Sequence, residues 1–338
     1  MGRIVLCVQH DATRRTGTAG DRYPTRLSYR GSPWVRDMPA VTTYQAILPI
    51  LNETCVTFSG PSWWLADGLQ VRRMTAQEER LVSEQSPRGF RHRVEAGQRL
   101  LAMTELEAGP YEVVRVSHEA AVSAAALCAQ VAFNLVAESD PVVIPYGVVV
   151  SEAYTRRVRC VYEFDAWGDT IALRRLRYRV KQDIDRSEVQ ALFQMALSTL
   201  RGRPELRVTL TRMCSALVKA NPEDKLIDLT ISLESLVPGS GEFRFRFSYF
   251  LSLLVESGRD ERKQAFEQLR TLYDARSALV HGSADRQRVI DRAIRAWPTL
   301  EGFARRCVLY RLEFERTASD LTWEEHLEGL AYGQPPLI

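Results

Sequence analysis

The residues best suited to chemistry in this sequence are Arg276 and His281, which lie five positions apart. An imidazole exchanges protons near neutral pH, so His281 suits general acid and base catalysis of phosphodiester cleavage. The guanidinium of Arg276 can hold a phosphate through two parallel hydrogen bonds and stabilise its charge in the transition state. Together they would let a ribose 2′-hydroxyl attack its own phosphate and displace the 5′-oxygen of the next nucleotide, which leaves a 2′,3′-cyclic phosphate and a free 5′-hydroxyl. The pair is chemically suited to RNA cleavage without a metal ion, and its specificity comes from the sequence around it.

The spacing of this pair limits how it can form one site. On an ideal helix, residues five apart point about 140° away from each other, whereas Ser277 and His281, four apart, share a face. A compact site requires the Arg276 side chain to wrap round the helix, the helix to distort near Gly282, or two subunits to pool their residues. All three arrangements are open at this point.

Three further polar residues are candidates for supporting roles: Glu234, Ser277 and Asp274. Glu234 lies at the margin of an apolar helical stripe and can accept hydrogen bonds from Arg276, or it is a surface carboxylate. Ser277 either orients the phosphate or caps the helix. Arg276 itself has a structural alternative, a salt bridge to Asp228 or Asp274.

Two other features predict weaker contacts to RNA. Arg175, Arg177 and Arg179 fall on one face of an expected strand, about 6.8 Å apart, and form either an RNA-binding row or a solvated sheet face. Trp63 and Trp64 either offer a stacking surface for a base or belong to a half-buried core, and the core interpretation is favoured.

Cofactor and metal sites are not expected. The sequence has no glycine-rich phosphate loop, no GxSxG motif and no clustered carboxylates or histidine spacing for a metal ion. Net charge is only +3, although 41 of the 45 basic residues are arginine. Six scattered cysteines without a CxxC pair predict reduced, mostly buried thiols: Cys7, Cys55, Cys128, Cys160, Cys214 and Cys307.

Composition predicts a globular protein of one large or two ordinary domains. The chain has 338 residues, 45% hydrophobic and 26% charged. The longest weakly polar run, residues 120–137, is interrupted by polar side chains and indicates a buried helix, not a membrane span. The first eleven residues lack the pattern of a secretory signal, so a cytoplasmic location and no membrane partner are expected.

The elements that must position the candidate site lie downstream of about residue 185. Residues 1–184 show short alternating runs with strand periodicity, such as 141–151, around one apolar helix over 118–137, which predicts a mixed α+β region. Ser187 and Gln190 suggest a capping box for a helix to about Leu200.

Helical start and stop signals continue towards the C-terminus. A helix is expected over 205–219, and the next starts at Asn221-Pro222 and must stop by Pro238. Four further helices carry apolar stripes, so the sequence predicts an all-α helical bundle over 185–318, followed by a C-terminal tail over 319–338. The fold class is therefore α+β.

Three stretches of the helical half, in this order, carry a family resemblance: 222–236, 247–254 and 272–282. The last contains an Arg-x4-His signature as Arg276 and His281. Over about residues 187–316 the chain resembles the Apea-like HEPN family, while nothing upstream is recognised.

This resemblance implies a HEPN-type bundle that pairs as a homodimer, with both motifs facing a shared cleft. It implies an endoribonuclease with an antiphage, abortive-infection or toxin role that cleaves RNA, often transfer RNA. Such an effector needs an antitoxin or a phage-derived trigger as a partner. The alternatives are a non-catalytic RNA-binding or dimeric scaffold protein, or an active unit in the N-terminal half.

Overall fold

The structure is a computed structural model that describes residues 185–335, apart from 220, 240, 283–284 and 319. Upstream it describes shorter stretches: 45–49, 56–57, 62–66, 69–73, 75–85, 99–104, 111–136, 144, 146–150, 155–159 and 182–183. The predicted strand with Arg175, Arg177 and Arg179 therefore lies outside the described residues, as do Cys7, Cys55 and Cys160.

The described strands form a six-stranded sheet and a separate two-stranded pair. Their bounds are β1 Gln45–Pro49, β2 Val56–Thr57, β3 Ser62–Ala66, β4 Leu69–Arg73, β5 Arg99–Thr104, β6 Tyr146–Val150, β7 Thr155–Arg159 and β8 Gln182–Asp183. The larger sheet has the order β3-β4-β5-β1-β6-β7, and every neighbouring pair in it is antiparallel. β2 and β8 pair in parallel.

The helices account for most of the described chain. Their bounds are α1 Ala76–Gln85, α2 Tyr111–Val136, α3 Arg186–Gly202, α4 Leu206–Val218, α5 Pro222–Glu234, α6 Phe243–Val255, α7 Arg259–His281, α8 Arg286–Arg295, α9 Trp297–Thr317 and α10 Trp323–Ala331. With the sheet upstream and helices downstream, the protein has an α+β fold, as the sequence predicted.

One face of the large sheet is covered by α2. Alternate side chains of three strands are buried, as expected for a sheet with one face on a core: Ala46, Leu48, Trp63, Leu65, Leu69 and Val71. They join the buried part of α2, which runs from Val122 to Phe133. The predicted buried helix over 118–137 is confirmed within α2.

A second core lies among the later helices. It includes the leucine stripe of α5 predicted from the sequence, at Leu226, Leu229, Leu233 and the following Leu236. The first core also takes Val189 and Phe193 of α3, so it draws side chains from both sides of residue 185.

Two helix starts show how local chemistry sets the elements. Asn221 caps α5, with its side-chain oxygen accepting from the Glu223 amide at 2.9 Å and Pro222 in the first turn, as predicted. The Ser187–Gln190 capping box is wrong: Asp185 caps α3 and accepts from the Ser187 and Glu188 amides. A carboxylate also suits the positive end of the helix dipole better than a hydroxyl.

Within the segment predicted as a C-terminal tail, residues 323–331 form α10, which packs on the bundle. Thr322 and Glu325 form a capping box at its start. The indole of Trp323 donates to the Leu236 carbonyl at 2.6 Å, and buried His326 lies 2.9 Å from the Tyr310 hydroxyl. The segment therefore contributes to the second core.

None of the helices in the described stretches combines the length and the hydropathy needed to span a lipid bilayer.

Candidate active site

Helix α7 carries Arg276, Ser277 and His281 along its last turns. Its buried face consists of small and apolar residues: Ala265, Leu269, Leu272, Ala275 and Ala278. The helix continues to His281, and the left-handed residue is the following Gly282 at φ 74°, whose amide donates to the Ala278 carbonyl at 3.0 Å. The backbone from Arg276 to His281 is therefore helical, without the distortion that would bring the two side chains together.

Arg276 is half-buried beside Glu234 at the end of α5. Its Nε lies 3.6 Å from Glu234 Oε1, and the two side chains are 26% and 20% exposed. This distance fits an ion pair but is too long for a hydrogen bond, and the buried Nε has no hydrogen-bond partner in the described chain. Burial raises the pKa of Glu234, and the positive charge of Arg276 opposes that effect.

The two other carboxylates considered as partners of Arg276 are engaged elsewhere. Asp228 is buried and accepts from Arg212 and Ser215, each at 2.6 Å, and pairs with Lys219 at 2.7 Å. Asp274 accepts two N–H groups of Arg244 in a bidentate pair. Asp274 therefore fixes a guanidinium of α6, next to the candidate site.

His281 is exposed at the C-terminal end of α7, and Ser277 is half-buried one turn earlier. The two share one helix face, whereas Arg276 lies about 140° round the axis from His281. Within one chain the structure thus brings Arg276 and Glu234 together, and it places His281 with Ser277 on a different side of the helix.

The tryptophan pair divides between core and surface. Trp63 is 8% exposed and packs edge-on against Phe133, with ring centroids 6.2 Å apart. Trp64 is 46% exposed. This agrees with the core interpretation for Trp63 and leaves Trp64 on the surface.

The described cysteines are free and buried: Cys128, Cys214 and Cys307. Burial raises the pKa of each thiol to about 12, so these cysteines are protonated at neutral pH. Within the described stretches, no group of three or more histidine, cysteine, aspartate or glutamate side chains is placed to hold a metal ion.

A cleft that sequence reasoning missed adjoins the candidate site. It lies between the start of α6 and the middle of α7, has a volume of about 450 Å³ and is lined by Glu242, Phe243, Arg244, Phe245, Phe266, Arg270 and Tyr273. The signal for it is the alternation of phenylalanine and arginine over residues 243–247, at the start of α6.

Comparisons with protein-family models, with curated proteins and with solved structures find no match to this chain.

Proposed function

We propose that the protein is a metal-independent endoribonuclease of HEPN type, with Arg276 and His281 forming a composite site between two copies of the chain. The observation that carries this proposal is the placement of the two residues on α7. Arg276 is directed to Glu234, the helix is regular through His281, and about 140° separates the two side chains. Of the three arrangements that the spacing left open, two subunits that pool their residues fit these observations best.

The surroundings of each residue support its proposed role. His281 is exposed, so its imidazole can reach a substrate and exchange protons with a ribose hydroxyl or a leaving oxygen. Arg276 retains N–H groups beyond the Nε that faces Glu234, and these can bind a phosphate. In the composite site, the His281 of one copy activates the 2′-hydroxyl and the Arg276 of the other stabilises the phosphate charge.

The biological setting belongs to the same proposal. The resemblance supports an antiphage, abortive-infection or toxin effector in the cytoplasm that cleaves RNA, transfer RNA included. An effector of this kind requires control by an antitoxin or a phage-derived trigger.

The test is cleavage of total cellular RNA in EDTA by the wild-type protein and by the Arg276→Ala and His281→Ala variants. We expect new 2′,3′-cyclic phosphate ends with the wild type and none with either folded variant. Co-expression of the two variants with different tags yields mixed dimers that contain one complete composite site. These dimers should recover about half of the wild-type activity.

The contrary results are equally clear. Cleavage that survives in both variants would place the active site elsewhere, including in the N-terminal half. Mixed dimers without activity would show that the site is not shared between copies.

A second candidate function is a non-catalytic HEPN protein that binds RNA or acts as a dimeric scaffold. The contact between Arg276 and Glu234 favours it, because a half-buried ion pair is also what a structural arginine makes. In that case the wild type cleaves nothing, and Arg276→Ala lowers the melting temperature.

A further inference from the structure

Aromatic rings line the cleft between α6 and α7, and neighbouring aromatic rings pack against them. Phe245 is 53% exposed, stacks on Tyr249 with centroids 5.4 Å apart and meets Phe266 edge-on at 5.8 Å. Tyr273 packs against Phe243 at 6.0 Å and against Phe247 at 5.5 Å. The ring of Phe245 is large, packed against other rings and still exposed, so it offers a stacking surface that none of the described residues covers.

Polar groups at the rim of the cleft complement a ligand with both an apolar face and polar edges. The guanidinium of Arg244 is oriented by Asp274 but stays 45% exposed. Arg270 is 42% exposed, and its ion pair within the described chain is a loose one, 3.7 Å to Glu267 on the same helix. The carboxylate of Glu242 adds an acceptor at the same rim.

The α7 residues of the cleft lie on the same helix face as His281. Phe266, Arg270, Tyr273, Ser277 and His281 follow one another at intervals of three or four residues, so they lie on one helix face. Tyr273 precedes His281 by eight residues, which is about 12 Å along the helix axis. Because α6 begins beside Tyr273, the last two turns of α7, with Ser277 and His281, extend past the start of α6.

We propose that this cleft binds an unpaired base of the RNA substrate, a few nucleotides from the bond that is cleaved. The proposal rests on the proposed ribonuclease function and deepens it: the substrate is single-stranded at this position. A base stacks on aromatic rings through its π face and forms hydrogen bonds through its edge. Phe245 supplies the ring, and Arg270, Arg244 and Glu242 supply groups for the edge and the adjoining phosphate.

RNA fits this cleft better than an apolar segment of a protein. The rim carries three charged side chains around a small aromatic floor, and an apolar segment would have to desolvate them. A nucleotide pairs with the guanidinium groups through its phosphate and with the carboxylate through an amino group of its base.

The test measures binding of a single-stranded RNA of about 20 nucleotides, made entirely with 2′-O-methyl ribose so that it cannot be cleaved. Fluorescence anisotropy compares the wild type with Phe245→Ala, Phe245→Leu and Phe245→Trp. Loss of the ring should weaken binding about tenfold in the first two variants, whereas tryptophan should restore it. Val208→Ala is the matched control, because Val208 is equally exposed, at 51%, on α4.

A second set of the same RNA, each member with one abasic nucleotide, tests the contact directly. One abasic position should weaken binding to the wild type about tenfold and have no further effect on Phe245→Ala. Equal binding by the wild type and Phe245→Ala overturns the proposal, as does a wild type that does not bind RNA. If Phe245→Ala separates dimers into monomers in analytical ultracentrifugation, the cleft is an interface between two copies and the proposal is also wrong.

Cleavage of unmodified RNA separates this inference from the proposed function. If RNA binding depends on Phe245 but no RNA is cleaved, the proposed nuclease function is wrong, whereas the cleft remains an RNA-binding site. If the protein cleaves RNA and its RNA binding does not depend on Phe245, the proposed base binding in the cleft is wrong, whereas the proposed nuclease function stands.

Discussion

At the scale of single residues, Glu234 is the carboxylate that faces Arg276. Its carboxylate lies 3.6 Å from the Arg276 Nε, and burial raises the pKa of Glu234 while Arg276 opposes that rise. A charged carboxylate is costly to bury. Among the described residues, the cation that Glu234 faces at this end of α5 is Arg276. We interpret Glu234 as a positioning residue that fixes the guanidinium without contacting substrate.

The substitution Glu234→Gln tests this role. We expect kcat to fall about tenfold with little change in KM, because the guanidinium loses its fixed orientation but can still meet the phosphate. The free energy of unfolding should change by less than about 1 kcal/mol, since the pair is partly exposed.

Glu223→Gln is the matched control, because Glu223 makes a surface ion pair with Arg286 at 3.1 Å. If Glu234→Gln keeps its kcat and only its melting temperature falls, the ion pair is structural.

Sequence reasoning could nominate the carboxylates near Arg276 but could not choose among them. Asp274 is only two positions from Arg276, and Asp228 lies on the same helix as Glu234. Yet Asp228 is bound by Arg212, Ser215 and Lys219, and Asp274 by Arg244. Helical periodicity tells which side of a helix a residue occupies. Which neighbouring helix supplies the partner depends on packing, and no local pattern encodes it.

At the scale of elements, the end of α7 depends on Gly282. Its φ of 74° and ψ of 150° belong to a region that is nearly restricted to glycine, although the space around its Cα is open. Gly282→Ala should therefore destabilise the fold by about 2 kcal/mol through backbone strain alone and should lower cleavage by moving His281.

Gly302→Ala provides the contrast within the same bundle. Gly302 lies inside α9 and has equally open surroundings, so alanine there should stabilise the protein by about 0.5–1 kcal/mol. Urea unfolding of the two variants measures both effects. A neutral Gly282→Ala would show that the helix end adapts.

Helix α10 introduces a pH-dependent contribution to stability. His326 is 3% exposed, lies between Tyr310 and Trp323 and faces Arg311, whose guanidinium stands 4.4 Å over the Trp323 ring. Burial lowers the pKa of His326, and Arg311 adds to that effect. The unfolded state thus binds the proton more readily, so stability is present above the unfolded pKa and is lost as the pH falls below it.

We therefore expect the free energy of unfolding to decrease between pH 7.5 and pH 5, in the range where a free histidine titrates, about 6.5. His326→Gln should weaken this dependence, whereas His281→Gln, at an exposed position, should leave it intact. An unchanged pH dependence in His326→Gln would assign the effect to other groups.

Local sequence signals predicted where the helices begin better than they predicted how the helices pack together. The Asn221-Pro222 start of α5 follows from cap chemistry within three residues and is confirmed. The packing of α10 was missed, because its docking depends on contacts with distant residues, such as Trp323 with Leu236 and His326 with Tyr310. A short amphipathic segment after a long helix gives no local sign of those contacts.

At the scale of the whole molecule, the two cores share helices. Val189, Phe193 and Ala196 of α3 pack in the core under the sheet, together with Leu210 of α4 and Leu312 of α9. The change in sequence texture near residue 185 thus marks a change of secondary structure, from sheet to helices, and not a division between cores. Sequence periodicity could show the change of secondary structure. It could not show how the cores divide, since it does not say which core the buried face of a helix joins.

The shared core predicts that a fragment of residues 185–338 is less stable than the same helices in the full chain. Without the sheet and α2, the apolar face of α3 would meet water, at a cost of about 2 kcal/mol for each large side chain exposed.

Phe193→Ala distinguishes this cause from a general loss of stability. In the full chain it should cost about 3–5 kcal/mol because Phe193 is fully buried, and in the fragment it should cost little. Leu233→Ala, in the core among the later helices, should cost about 2–5 kcal/mol in both proteins. Equal effects of Phe193→Ala in fragment and full chain, measured by urea unfolding, would show that the helical half folds independently of the sheet.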